Sequence, residues 1–220
     1  MENKAERFWL YLIERKLKIA SKLEIEKNYK EFEEMWKIKE KDFYKVFDVL
    51  RKSRIKYIFN KEWYILNQEE FQSLKNGKIE EYEFIFRFLE NKEIPYYVGL
   101  SSAKYLNKLT WQSLNKIQII NTRFKLKRKI SNIEVELIKF PKQLIINIAL
   151  SKTNNGFLYS DIEKTFLDEI FYKKTKSPIG DFNITELNLE KIKAYLAFYL
   201  KYKFVEKEVL KQLKIHNLEL

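Results

Sequence analysis

Phe8, Trp9, Leu12, Ile13 and Leu17 recur at helical spacing, which predicts an amphipathic helix over about residues 4–17. Ile25, Tyr29, Phe32 and Trp36, with Leu23 and Met35 beside them, predict a second helix or broken helix pair over about 21–37. Phe43, Val46, Phe47 and Leu50 repeat the pattern over about 40–52. The period then changes. Ile55, Tyr57 and Phe59 alternate with Lys56 and Ile58, and a second β-favouring run, Trp63 to Leu66, follows a short polar turn at Asn60, Lys61 and Glu62.

Three helices closed by a two-stranded hairpin have the order of a winged helix-turn-helix, in which the third helix enters the major groove and the wing lies beside the phosphate backbone. If the third helix buries Phe43, Val46, Phe47 and Leu50, its other faces present Lys41, Tyr44, Lys45, Asp48, Arg51 and Lys52. Lys39, Arg54, Lys56 and Lys61 flank that helix and the wing. The expected DNA-binding set is therefore Lys39, Lys41, Tyr44, Lys45, Arg51, Lys52, Arg54, Lys56 and Lys61, whose cations would meet phosphates and release condensed counterions. The same elements also serve as a protein-interaction or dimerisation module, and no residue identifies a base.

Asn76-Gly77 ends a polar stretch and places a domain boundary there, giving a winged helix-turn-helix domain over 1–76 and a larger mixed α/β domain over 77–220. The fold class expected is α+β. Residues of about 78–91 form another helix on Tyr82, Ile85, Phe86 and Leu89, which Pro95 and Gly99 interrupt. "PYYVGLSSAKYLNKLT" reads as a turn and a helix capped by Ser101 or Ser102, and "NKIQIINTRFKLKRKISNIEVELIKF" as two strands around a basic turn. "LIINIALSKTNNGFLYS" reads as extended structure turning at Asn154-Asn155-Gly156. "SDIEKTFLDEIFY" is a capped helix, and two more helices fill 186–215.

Composition narrows the chemistry. The 220 residues are 45% hydrophobic and 16% aromatic, enough for a sizeable core. No cysteine occurs, which removes disulfides, thiolate metal sites and cysteine nucleophiles, and the lone His216 supplies no imidazole cluster, so metal and triad chemistry are disfavoured. No long uncharged apolar run appears, and the start reads as an amphipathic helix rather than a signal peptide; a cytoplasmic protein with no membrane partner is expected. The net charge is +12, tempered by a lysine-rich usage that an AT-rich genome or a hot habitat would also produce. Residues 102–153 hold the sharpest excess, eleven basic residues against Glu134 and Glu136. Within it Arg123, Lys125, Lys127, Arg128 and Lys129 form a second basic patch, with Arg123, Lys125 and Lys127 on one side of a strand; it is a candidate for contact with DNA, RNA or an acidic partner, or a solvated hairpin.

Three segments carry a resemblance: Tyr96-Tyr97-Val98-Gly99-Leu100-Ser101-Ser102-Ala103, the downstream "INTRFKLKRK", and Ile162-Glu163-Lys164-Thr165-Phe166-Leu167-Asp168 at a helix head. Together they resemble the C-terminal domain of AbiE-type abortive-infection antitoxins, the AbiEi-like regulators, and a winged helix precedes that domain in the family. The resemblance spans roughly residues 5–172. It implies a type IV toxin-antitoxin pair, with the winged helix repressing its own operon at inverted operator repeats and the C-terminal domain counteracting a nucleotidyltransferase-like toxin. Operator symmetry favours a homodimer. Thr165 and Asp168 match the family's Thr-x-Leu-Asp pattern, and a hydroxyl and carboxylate three residues apart suit a structural, loop-holding role better than a catalytic one.

The chain is expected not to be an enzyme and to need no cofactor. Gly99-Leu100-Ser101 superficially opens a nucleotidyltransferase motif, yet no aspartate lies between Asp48 and Asp161 to hold magnesium. Glu134, Glu136 and Lys139 do not match a metal-dependent nuclease spacing, and no phosphate-cradling or nucleophile-elbow glycine motif occurs. A nucleic-acid-processing enzyme of a defence system and a winged-helix protein adaptor remain the alternatives.

Overall fold

The computed structural model describes residues 2–36, 43–58, 61–110, 115–130, 132–145, 149–153, 156–173 and 182–220. Nine α-helices and two sheets among these residues make a mixed α+β protein, in two compact units, Met1–Lys92 and Glu93–Leu220.

The first unit runs α1 (Glu2–Glu14), β1 (Ile19–Ser21), α2 (Lys22–Met35), α3 (Phe43–Ser53), β2 (Ile55–Tyr57), β3 (Glu62–Ile65), α4 (Gln68–Lys75) and α5 (Glu83–Asn91). The three strands form an antiparallel sheet with β3 in the middle, Tyr64 lying opposite both Ile19 and Lys56. β1, at three residues, is too short to show an alternating pattern in the sequence. Ser21 ends it and starts α2 through a reciprocal cap: its hydroxyl accepts from the Glu24 N–H, and the Glu24 carboxylate accepts from the Ser21 N–H. The apolar stripes of α1, α2 and α3 meet in an aromatic core of Phe8, Trp9, Tyr29, Phe32, Phe43 and Phe47. The buried Trp9 indole satisfies its one donor on the Leu66 carbonyl at 2.7 Å.

Asn76-Gly77, where the sequence places a boundary, lies inside this unit. The preceding polar stretch is α4, started by a second reciprocal cap between Asn67 and Glu70. Glu70 then ties the segment down, accepting from the Tyr64 hydroxyl at 2.8 Å and from Arg87 at 2.7 Å, while Phe84 packs on Tyr64 with ring centroids 4.9 Å apart. These contacts attach α4 and α5 to β3, and the units divide at Lys92 and Glu93.

The second unit contains β4 (Tyr96–Val98), α6 (Leu100–Leu106), β5 (Lys116–Asn121), β6 (Leu126–Ile130), β7 (Ile133–Lys139), β8 (Leu150–Lys152), β9 (Leu158–Ser160), α7 (Ile162–Lys173), α8 (Leu189–Leu196) and α9 (Lys203–Ile215). Its sheet has the order β6-β7-β5-β4-β9-β8. The pairs β5–β7 and β4–β9 are parallel and the others antiparallel. Three expectations change here. Tyr96–Val98 is a buried strand rather than a turn. The basic segment is largely strand β6, which pairs only with β7 and forms one edge of the sheet. Ser101 and Ser102 do not cap α6, whose cap position is Gly99. One sheet face, through Tyr97, Ile120 and Ile138, shares a core with Phe166, Leu167 and Ile170 of α7, Ile192 and Tyr195 of α8, and Val205, Val209 and Leu213 of α9.

Gly99 has ordinary extended backbone, and space is what demands it: an added Cβ would lie 3.0 Å from Ile120 Cγ1 and 3.3 Å from Tyr97 Cε2. No described helix is long and apolar enough to cross a membrane.

Candidate nucleic-acid interface

α3 turns Phe43, Val46, Phe47 and Leu50 inward and leaves Tyr44, Lys45, Asp48, Arg51 and Lys52 exposed. Tyr44 is 63% exposed, far beyond what packing would leave a large ring. The hairpin is held against the helix by Trp63, whose ring meets Phe47 and Tyr57 edge-on, each at 5.1 Å. Lys61 stands exposed in the turn between β2 and β3 with φ +63°, a left-handed conformation that tight turns require. Lys22, at the start of α2, places its ammonium 4.6 Å from the Tyr44 ring centre and joins the cations at this surface. It was open to detection from sequence only as the first residue after the Ser21 cap.

Two of the expected DNA contacts point elsewhere. Arg54 is wedged between Trp9 and Phe71, its guanidinium 4.1 Å and 3.7 Å from the ring centres, and donates to Glu6 at 2.8 Å. Its side chain keeps only 12% of its exposure, so it is a structural residue. Lys56 is ion-paired to Glu81 at 2.7 Å, and most of its side chain is covered. Lys39 and Lys41 lie outside the described residues. Among the described residues, Tyr44, Lys45, Arg51, Lys52 and Lys61 therefore make the exposed part of the expected set.

The second patch is a strand edge. Arg123, Lys125, Lys127 and Lys129 are exposed, whereas Arg128 faces the other side and is half-buried. Asn121, fully buried, shapes the preceding turn by accepting from the Arg123 and Phe124 N–H groups. Lys127 is not a bare cation: Glu134 lies 3.1 Å away.

Beside this edge, β5 and β7 hold a closed polar network. Gln118 accepts from the Ser101 hydroxyl at 2.5 Å and donates to Glu136 at 2.9 Å; Lys116 bonds Glu136 and lies 3.6 Å from Glu134. Burial opposes the charge of Lys116, but its bond and attraction to Glu136 outweigh that and hold the ammonium above the usual lysine range. Burial likewise pushes Glu136 up, and the bonds from Lys116 and Gln118 overcome it to hold the carboxyl below its usual range. On the strand after Gly99-Leu100-Ser101, a cation and an amide stand on the face shared with Glu136, and the cation neutralises the carboxylates. Among the described residues, no three His, Asp or Glu side chains converge as metal ligands.

The Ile162–Asp168 segment is buried around an ion pair. Lys164 and Asp168 are both fully covered and in contact, and the Tyr97 and Tyr199 hydroxyls donate to Asp168 at 2.7 Å and 2.6 Å. Burial pulls Lys164 below and pushes Asp168 above their ordinary values, and their mutual attraction offsets part of each shift. The Thr165 hydroxyl donates to the Asp161 carbonyl at 2.6 Å, closing the first turn of α7. Lys104 makes a second buried pair with Glu169 at 2.7 Å, joining α6 to α7.

No family model matches the chain, and no curated protein matches it. Among solved structures, the solution structure of the antibiotic-resistance factor ANT(2'')-Ia aligns with a TM-score of 0.37 and 11% identity, over 57% of this chain and 93% of that one. At that score the likeness assigns neither fold nor activity.

Proposed function

We propose that the chain is a DNA-binding antitoxin and autorepressor of a type IV toxin-antitoxin operon in phage defence, acting in the cytoplasm. Its first unit is then a winged helix-turn-helix, with α3 in the major groove of operator repeats and the β2–β3 turn as the wing. The observation that carries this reading is the outer face of α3: Tyr44, Lys45, Asp48, Arg51 and Lys52 stand exposed on a helix that is third in the order α1-β1-α2-α3-β2-β3. A face built for protein contact would bring apolar residues to its centre, and this one brings charges. Inverted repeats call for two copies of the chain, so a homodimer is part of the reading.

The antitoxin half rests on the resemblance of Tyr96–Ala103, Ile120–Lys129 and Ile162–Asp168 to AbiE-type antitoxins; the second unit would counter a nucleotidyltransferase-like toxin, directly or through its effect. Two measurements test the whole. Fluorescence anisotropy with the chain's own upstream DNA should give a steep salt dependence, and joint substitution of Lys45, Arg51, Lys52 and Lys61 by alanine should lower the slope by about 0.9 for each lost phosphate contact. An unchanged slope removes α3 and the wing from the interface. Co-expression with a nucleotidyltransferase-like protein encoded beside it should restore growth; persistent toxicity removes the antitoxin role.

A further inference from the structure

The centre of the α3 outer face is a carboxylate. With Phe43, Val46, Phe47 and Leu50 buried, helical geometry puts Lys45, Asp48 and Lys52 opposite the core, and Asp48 lies between the two lysines. For a helix meeting a polyanion this is a costly position for a negative charge, and the fold does not require it: the Asp48 side chain is 60% exposed, and its ion-pair partner is Arg51 on the same helix. Arg51 Nη2 stands 3.3 Å from Asp48 Oδ1. That contact offsets part of the charge and leaves most of the Asp48 side chain open to solvent.

Resting on the DNA-binding reading above, we propose that Asp48 is the base-discriminating residue of α3, accepting from the exocyclic amino group of a cytosine in the major groove, with Arg51 as the residue that positions it. The chemistry follows from the groove edge. Cytosine presents an N4 amino donor, whereas guanine O6 and N7 and thymine O4 present acceptors that a carboxylate repels. Lys45 and Lys52 are assigned to the phosphates. Asp48 therefore selects cytosine by attraction to N4, is repelled by the guanine and thymine edges, meets at adenine an N6 donor flanked by the repelling N7 acceptor, and lowers affinity for unrelated DNA.

The test is selection from a randomised duplex library, followed by anisotropy on the selected site, with the parent and the variants Asp48→Asn, Asp48→Ala, Arg51→Ala, Arg51→Lys and Lys52→Ala. Their melting curves confirm folding. Asp48→Ala should erase a preference of about five- to 150-fold at one cytosine position and raise affinity for unrelated DNA. Asp48→Asn should move that position toward adenine, which offers N6 and N7 to an amide. Arg51→Ala should weaken the cytosine preference and Arg51→Lys should restore part of it, while Lys52→Ala should weaken all sequences alike. If the preferences of Asp48→Asn and Asp48→Ala equal the parent's at every position, Asp48 is a solvated surface acid and this inference falls while the repressor reading stands. If the parent itself selects no sequence, the repressor reading falls first.

Discussion

Removing either member of the Lys164–Asp168 pair should destabilise the second unit, but by different amounts and with opposite dependence on pH. Both side chains are fully buried, and the Tyr97 and Tyr199 hydroxyls lie within 2.9 Å of both the ammonium and the carboxylate. Breaking a buried pair costs about 3–5 kcal/mol because a charge is left without its partner. Lys164→Met leaves Asp168 with two phenol donors and able to take up a proton, which places its loss near the lower end. Asp168→Leu leaves an ammonium with only phenol oxygens and orphans both phenol donors, at about 1–3 kcal/mol for each unsatisfied group, which places its loss at the upper end or beyond. In Lys164→Met, burial keeps the folded-state value of Asp168 above the unfolded one. The carboxyl's contribution is then fully present below the ordinary aspartate range and is lost as pH rises through the raised value. In Asp168→Leu, burial keeps Lys164 below its unfolded value, so the ammonium is least harmful above the ordinary lysine range and its penalty grows as pH falls through the lowered value. Urea denaturation of the full chain at several pH values, with hydrogen exchange to locate the loss in α7, measures both. Deficits that are equal and flat with pH would refute the argument that burial governs this pair.

Arg54→Gln should cost about 1–3 kcal/mol in a melt, since the fork to Glu6 and the seat between Trp9 and Phe71 are lost, and should leave the salt slope of the proposed DNA binding unchanged; a reduced slope would return Arg54 to the interface. Gly99→Ala should cost about 1–3 kcal/mol by overpacking against Ile120, and adding Ile120→Val should recover part of it, because the valine lacks the crowded terminal methyl. Ser21→Ala should cost about 1 kcal/mol by opening the cap of α2. The backbone and hydroxyl bonds from Ser21 hold the Glu24 carboxyl below its usual range, so its contribution is present above the ordinary glutamate value and is lost as pH falls through the lowered one; Glu24→Gln should flatten that part of the acid titration.

α1, α2 and α3 were legible because each buries one regular stripe against one core, so Phe8, Phe32 and Phe47 announce their faces by spacing alone. β1 and β4 were not, since three residues are too few to carry a period; β1 buries only Ala20, and β4 is buried at all three positions. α4 escaped for a different reason: its helix rests on the Asn67–Glu70 cap and on Tyr64 and Arg87 reaching Glu70, and two of those three contacts come from other elements. The basic segment before Ile130 reads as a turn by composition, yet β7 supplies a partner for every residue from Leu126 on. A strand of alternating lysines is stable only where a neighbour pairs its backbone, and that neighbour lies beyond the window in which composition is read.

Charge was the least legible property, and the reason is geometric. Arg54 and Lys56 lie within five residues of Arg51 and Lys52, so a count of cations along the chain treats the four alike. The end of α3 separates them. Arg51 and Lys52 still follow the helical repeat and face outward, whereas at Arg54 the chain leaves the helix and turns back over α1, delivering a guanidinium to Glu6 and an ammonium to Glu81. Of neighbouring cations, those still on the helix can meet a ligand and those past its end brace the fold. The same distinction applies to Lys127 and Lys129 on β6: the free strand edge exposes them, and the glutamates of β7 on the same face neutralise part of their charge. If α3 carries the proposed nucleic-acid interface, the cations available to it are set by where α3 stops rather than by how many lysines surround it, and lengthening α3 by one residue, which turns every following side chain by about 100°, should disrupt the Arg54–Glu6 brace and shift Lys61 away from the α3 cations.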